Sequence, residues 1–135
     1  MKKLGCGMVL LGLALWLAAC GRAEYEEIDL SKQIPVEGYE QYLRWEDGLL
    51  GLENGIIIPD VYEGRIGKKI GTVQAVGPQI VHESEVGSLG KEGLPVIQPG
   101  DEIHKIKGID PKNSLLIQTK EGYVAAFFLR YLDKK

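Results

Sequence analysis

Beyond residue 20, no uncharged apolar run in this chain exceeds six residues, the longest being Val124-Ala125-Ala126-Phe127-Phe128-Leu129. Runs that short suit strands, because a packed helix needs a longer periodic face. Glycines stand between them: residues 20–135 hold 15 of the chain's 18 glycines in 116 positions. That is nearly twice the usual share of about 7%. Short apolar runs punctuated by turn residues predict a mainly β domain. The expected form is a small antiparallel sheet or partly open barrel that ends in a three-stranded meander.

The individual strands follow from local pattern. Tyr39, Gln41, Leu43 and Trp45 alternate with Glu40, Tyr42, Arg44 and Glu46, as in a half-buried strand. A helix opened by Pro35, with Val36, Tyr39 and Leu43 on one face, is the competing reading. Asp47-Gly48 predicts a hairpin into Leu49–Leu52, and Asn54-Gly55 a second into Ile56–Ile58, since both dipeptides suit type I′ turns. Pro59 ends that strand or marks an edge. Residues 66–76 contain a strand beginning near Lys69, which Gln79–His82 extends past a bulge. Residues 77–100 form the longest stretch of weak pattern, and a 24-residue connection is either functional or flexible. The meander is the clearest part: strands at 101–109, 114–119 and 123–129, with turns at Asp110–Asn113 and Lys120–Gly122.

The first twenty residues differ from all of this. Lys2 and Lys3 precede an uncharged apolar run from Leu4 to Ala19, sixteen residues long. A membrane-spanning helix needs about 20. The run matches the apolar region of a secretory signal, which ends in small residues before a cleavage point. It closes on Leu17-Ala18-Ala19-Cys20, which resembles the lipobox of bacterial lipoproteins: an aliphatic residue, two small residues, then cysteine. Cys6 follows Leu4-Gly5 with no apolar run before it and does not fit the pattern. The resemblance implies a diacylglyceryl thioether on Cys20, whose thiolate is the nucleophile, and cleavage between Ala19 and Cys20. An uncleaved anchor is the alternative. Gly21 rather than aspartate follows the cysteine. In diderm bacteria this resembles the default for outer-membrane sorting; in Gram-positive cells it implies the outer face of the plasma membrane.

On this reading the chain divides into a signal peptide at 1–19, a lipidated tether at 20–34 and one extracytoplasmic β-rich domain at 35–135. Residues 21–34 are polar and acidic, as a spacer would be, although Ile28 and Leu30 also suit an edge strand. The charge moves from −3 for the whole chain to −5 for residues 20–135, with fourteen basic against nineteen acidic side chains. The acidic balance argues against nucleic acid as a partner. Cys6 leaves with the leader and Cys20 carries lipid, so no disulfide remains.

A second resemblance rests on IGKKIGTV (66–73) and DEIHKIKGIDPKNSLLIQTKEGYVAAF (101–127), with Arg44-Trp45 and Asp47-Gly48 before them. Small secreted lipoproteins of Gram-positive bacteria have a similar pattern over about residues 42–128. It implies a β-rich extracytoplasmic domain and no particular activity.

Candidate chemistry is sparse. His82 and His104 are the only histidines, and no cysteine is free to join them in a metal site. No D-x-D-x-D-G loop suggests calcium, and Gly64–Lys69 lacks phosphate-loop spacing. His82 next to Ser84 has the composition of a hydrolase without a G-x-S-x-G elbow. Paired carboxylates at Glu46/Asp47 and Asp101/Glu102 are ordinary for an acidic surface. No cofactor is expected. Charge is uneven, however: residues 20–63 carry net −8 and residues 64–135 net +3. That asymmetry marks Arg65, Lys68, Lys69, Lys105 and Lys107 as a basic face toward anionic lipid or wall polymer, with Tyr42, Arg44 and Trp45 as an aromatic edge. The expected function is a non-catalytic, membrane-anchored interaction module at the cell envelope, held by lipid on Cys20 and binding another envelope protein or an anionic wall polymer. An inhibitor or accessory of an envelope hydrolase or protease, acting through residues 77–100, is the alternative. A small hydrolase using His82 and Ser84 is the third.

Overall fold

The protein's architecture is given by a computed structural model that describes residues 24–58 and 64–135. The expected signal peptide, Cys20 with its cleavage point, and Pro59 lie outside the described residues. Every described element is a strand. They are β1 (Ile28–Asp29), β2 (Gln41–Trp45), β3 (Gly48–Leu52), β4 (Ile66–Thr72), β5 (Ala75–Gly77), β6 (Gln79–Ile80), β7 (Glu85–Ser88), β8 (Glu102–Ile106), β9 (Ser114–Gln118) and β10 (Tyr123–Tyr131). β1 and β6 form a two-stranded antiparallel sheet, and the other eight form one sheet ordered β4-β8-β9-β10-β3-β2-β7-β5.

β4 and β5 stand at opposite ends of that order, yet only Val73 and Gln74 join them. Val73 still bonds the β8 side, through Asp101 O and Gly100 N, whereas the Gln74 amide donates to Ser84 O beside β7. The chain therefore changes edges between two consecutive residues, and the sheet must curl until its edges meet there. The result is a half-barrel, as the glycine-rich pattern predicts, with the β8-β9-β10 meander as its regular wall.

Three apolar layers hold it. The interior contains Leu43, Leu50, Leu52, Val86, Ile103, Leu115, Ile117, Val124 and Ala126. Leu115/Ile117 and Val124/Ala126 reach it by the period-two alternation of strands. The intervening Leu116, Tyr123 and Ala125 face outward, but Ile57, Ile66 and Ile109 cover them. Burial on both faces explains why these strands read as continuous apolar text rather than as alternation. The third layer, Ile28, Leu30, Tyr42, Leu49, Ile80 and Leu132, lies under the N-terminal segment.

That segment is the edge-strand alternative realised. Tyr25 bridges Lys134, the Glu26 amide donates to Asp133 O, and the Lys135 amide donates to Glu24 O. Ile28 pairs with Ile80, and the Leu30 amide donates to Pro78 O. From Glu24 to Leu30, the stretch expected as a tether is bonded into the domain.

Other expectations are corrected. Residues 41–45 are strand and not helix. The β2–β3 hairpin turns on Glu46-Asp47 with Trp45 opposite Gly48, one residue earlier than Asp47-Gly48 suggests. Glu46 takes the left-handed conformation, with φ 55°. Asn54-Gly55 makes no hairpin; the chain bends out and rejoins the same neighbour, where Ile57 bridges Tyr123. Gln79-Ile80 leaves the large sheet to pair with β1 instead of extending β5. Within 77–100, β7 inserts between β2 and β5, and Val86 is fully buried.

The N-terminal segment is also held by charge. The Glu26 carboxylate accepts hydrogen bonds from the Arg130 guanidinium and the Asp133 amide. The Arg130 bond holds its pKa below the ordinary carboxylate value, against the opposing effect of burial. A depressed folded-state pKa adds stability that is present above the unfolded value of about 4.3 and is lost as pH falls through the folded one. Glu26→Gln should therefore cost about 1 kcal/mol at neutral pH and nothing at pH well below that window, measured by denaturant unfolding at both pH values.

Candidate functional site

The β4–β8 pair collects part of the expected basic face. Ile66 lies opposite Ile106 and Lys69 opposite His104, so the bulge at Gly67-Lys68 stands against Lys105. A Cβ on Gly67 would come within 2.9 Å of the Lys105 carbonyl oxygen, so glycine is what lets the strands close here. The Lys107 amide donates to Arg65 O, 2.8 Å away. Arg65, Lys68, Lys105 and Lys107 thus share one corner of the half-barrel. Lys69 is engaged apart from them. Its ammonium lies 3.7 Å from the Glu102 carboxylate, whose other oxygen is 2.9 Å from His104 Nε2. His104 Nδ1 lies 3.0 Å from Gly67 O, and its ring meets Tyr123 edge-on. The His104 hydrogen bond, more than the lysine charge, lowers the Glu102 pKa. The histidine acts as a clasp between β4 and β8.

The aromatic edge does not join this corner. Tyr42 is 1% exposed, and its hydroxyl donates toward Val36 O and Tyr39 O. Burial raises its pKa. Arg44 reaches the carbonyls of Val81 and Glu46 and stacks over the Tyr25 ring at 5.2 Å. Trp45 packs on the barrel interior against Gly71. These three side chains build the domain.

His82 and Ser84 belong to a turn. The Glu85 carboxylate accepts from the amides of Val81 and His82, and the Ser84 amide donates to Arg44 O. Ser84 has φ 66°, a turn conformation. These bonds reverse the chain at the entry to β7. Among the described residues, no three His, Cys, Asp or Glu side chains group as metal ligands would.

The arrangement that sequence reading missed is a groove of about 340 Å³ between the N-terminal segment and the chain leaving β7. Buried Leu30 and Tyr42, half-buried Tyr39 and exposed Ile34 and Leu89 line it. Ile34 is 64% and Leu89 49% exposed, and together they account for two of the six large exposed apolar side chains among the described residues. Lys91 pairs with Glu40 at its lip, 2.9 Å apart. Tyr39 is fixed by an unusually close neighbour: a Cβ on Gly51 would stand 2.5 Å from its ring. Ile34 and Leu89 lie on separate loops, so no local periodicity joins them.

No family model, curated protein or solved structure matches the chain.

Proposed function

We propose that this protein is a lipid-anchored extracytoplasmic domain that works without catalysis, as an interaction module at the cell envelope. The anchor is read from Leu17-Ala18-Ala19-Cys20 behind a basic and apolar leader. The interaction is read from one observation above all, the groove lined by exposed Ile34 and Leu89 together with Tyr39 and Tyr42. Exposed apolar side chains gathered at one concavity are a mark of a binding surface. The Lys91–Glu40 pair supplies a polar lip, as interfaces with an apolar centre and charged rim do. An extended segment of another envelope protein fits that combination: an apolar side chain in the groove, polar backbone against the lip.

Photo-cross-linking in cells tests this. A photoreactive residue in place of Leu89 should give a discrete adduct with an envelope protein, and the same residue in place of Lys120 should not. The same background at both positions would count against the groove.

The inhibitor reading draws on a narrower observation. Val96 and Leu89 are both exposed on the connection from β7 to β8, at 61% and 49%, where an inhibitory loop would present apolar side chains. The basic corner of Arg65, Lys68, Lys105 and Lys107 supports an anionic wall polymer as a further ligand. Its binding would weaken steeply with salt, whereas capture through the groove would not.

A further inference from the structure

Glu24, four residues after Cys20, is already bonded into the fold. If Cys20 carries lipid, as proposed above, the leash between bilayer and folded domain is very short. Four residues fully extended span at most about 14 Å. A domain of this size has a radius of gyration of about 13 Å, and its surface lies farther out still. A leash no longer than the domain's own radius does not let it turn freely. Glu24 has to stay next to the headgroup layer, which adds only about 5–8 Å beyond the hydrocarbon.

The neighbours of Glu24 are fixed by backbone bonds. Lys135 N donates to Glu24 O, Tyr25 bridges Lys134, and Leu132 N donates to Asp47 O. Lys134 and Lys135 therefore flank the point of attachment, and Tyr131, 59% exposed with its ring edge-on to Phe128, lies four residues back along the same chain. We infer that the domain rests on the membrane by this C-terminal corner, with Lys134 against the headgroup layer. Charge contributes little. Lys135 pairs with Glu27 and Arg130 with Glu26, so the corner is close to neutral. The leash, rather than attraction to anionic lipid, sets the orientation.

β10 then gives the far end. It runs from Tyr123 to Tyr131, about 27 Å at strand rise. The Lys120–Glu121 turn at its start stands away from the bilayer. A rigid β-domain that stands on one corner presents its grooves in a fixed direction to whatever passes along the surface.

The test uses the full-length protein, processed in its host and reconstituted in vesicles of phosphatidylcholine and phosphatidylglycerol. A cysteine replaces Lys134 in one variant and Glu121 in another, and each carries a fluorophore. Quencher attached to lipid headgroups should quench the position-134 label severalfold more than the position-121 label, in low and high salt alike. A flexible insert of about 20 residues between Ala23 and Glu24 spans roughly 25 Å. It should abolish that difference while the protein still floats with the vesicles. Equal quenching at both positions in the floating protein without the insert would overturn the orientation and leave the anchor standing. Failure to float would overturn the anchor, and the orientation with it.

Discussion

Leu115→Ala should destabilise the domain by about 3–4 kcal/mol, a large part of the stability of a chain this size. Leu115 is fully buried. It lies on the middle strand of the meander, opposite Ala126 on β10. It projects into the interior with Leu52 and Ile117. Alanine would leave a cavity that a curled sheet bonded on both sides cannot collapse to fill, and a cavity adds its own cost to the lost transfer energy. Leu89→Ala removes a similar side chain from an exposed loop and should cost well under 1 kcal/mol. Denaturant unfolding of both variants measures the contrast. If the two fell equally, the half-barrel interior would not be the core.

The contrast also separates stability from function. Leu89→Ala should weaken partner capture while the fold stays intact. Leu115→Ala should reduce both by unfolding the domain.

Where the sequence was legible, turn chemistry and strand pattern agreed. Asp110-Pro111 and Gly122 bracket β9, and the meander is found close to the expected positions. Gly122 is needed there for a steric reason: at φ 150° its missing Cβ would stand 2.8 Å from Ile57 O. The β2–β3 hairpin was legible as a hairpin and misplaced by one residue. Its register is set by what each side chain must face, because a one-residue slip turns every side chain over. Leu49 packs on Leu132 beneath the N-terminal segment, and Leu50 enters the interior. That requirement outweighs the preference of Asp-Gly for the turn, and Glu46 takes the left-handed position.

Asn54-Gly55 misled for a related reason. β10 is nine residues long, so the chain leaving β3 can rejoin it at Tyr123 without reversing. β7 was not legible at all. Its one large apolar residue is Val86, and its place between β2 and β5 comes from partners more than 30 positions away in one direction. The groove shares that property, since Ile34 and Leu89 line it from loops 55 positions apart in the chain. Of the expected binding residues, Arg65, Lys68, Lys105 and Lys107 come together by register. Tyr42, Arg44 and Trp45 satisfy the fold's own needs.

Cys20→Ser should produce the largest change in the living cell. A serine hydroxyl cannot form the thioether, and without it the proposed cleavage by the lipoprotein peptidase does not occur. Two or more acyl chains give stable anchoring, at about 0.8 kcal/mol for each buried CH₂, whereas a chain without lipid has no comparable hold. The variant should accumulate with its leader uncut and without lipid, whereas the wild-type protein is cut before Cys20. Firm membrane retention of an unprocessed wild-type protein would instead support an uncleaved anchor.

The most direct measurement is the intact mass of the protein extracted from membranes of its own cell, with fragmentation of its N-terminal peptide. The expected chain begins at Cys20 and carries a diacylglyceryl group on that sulfur. A chain that begins at Met1, or one cut elsewhere with an unmodified Cys20, would contradict it.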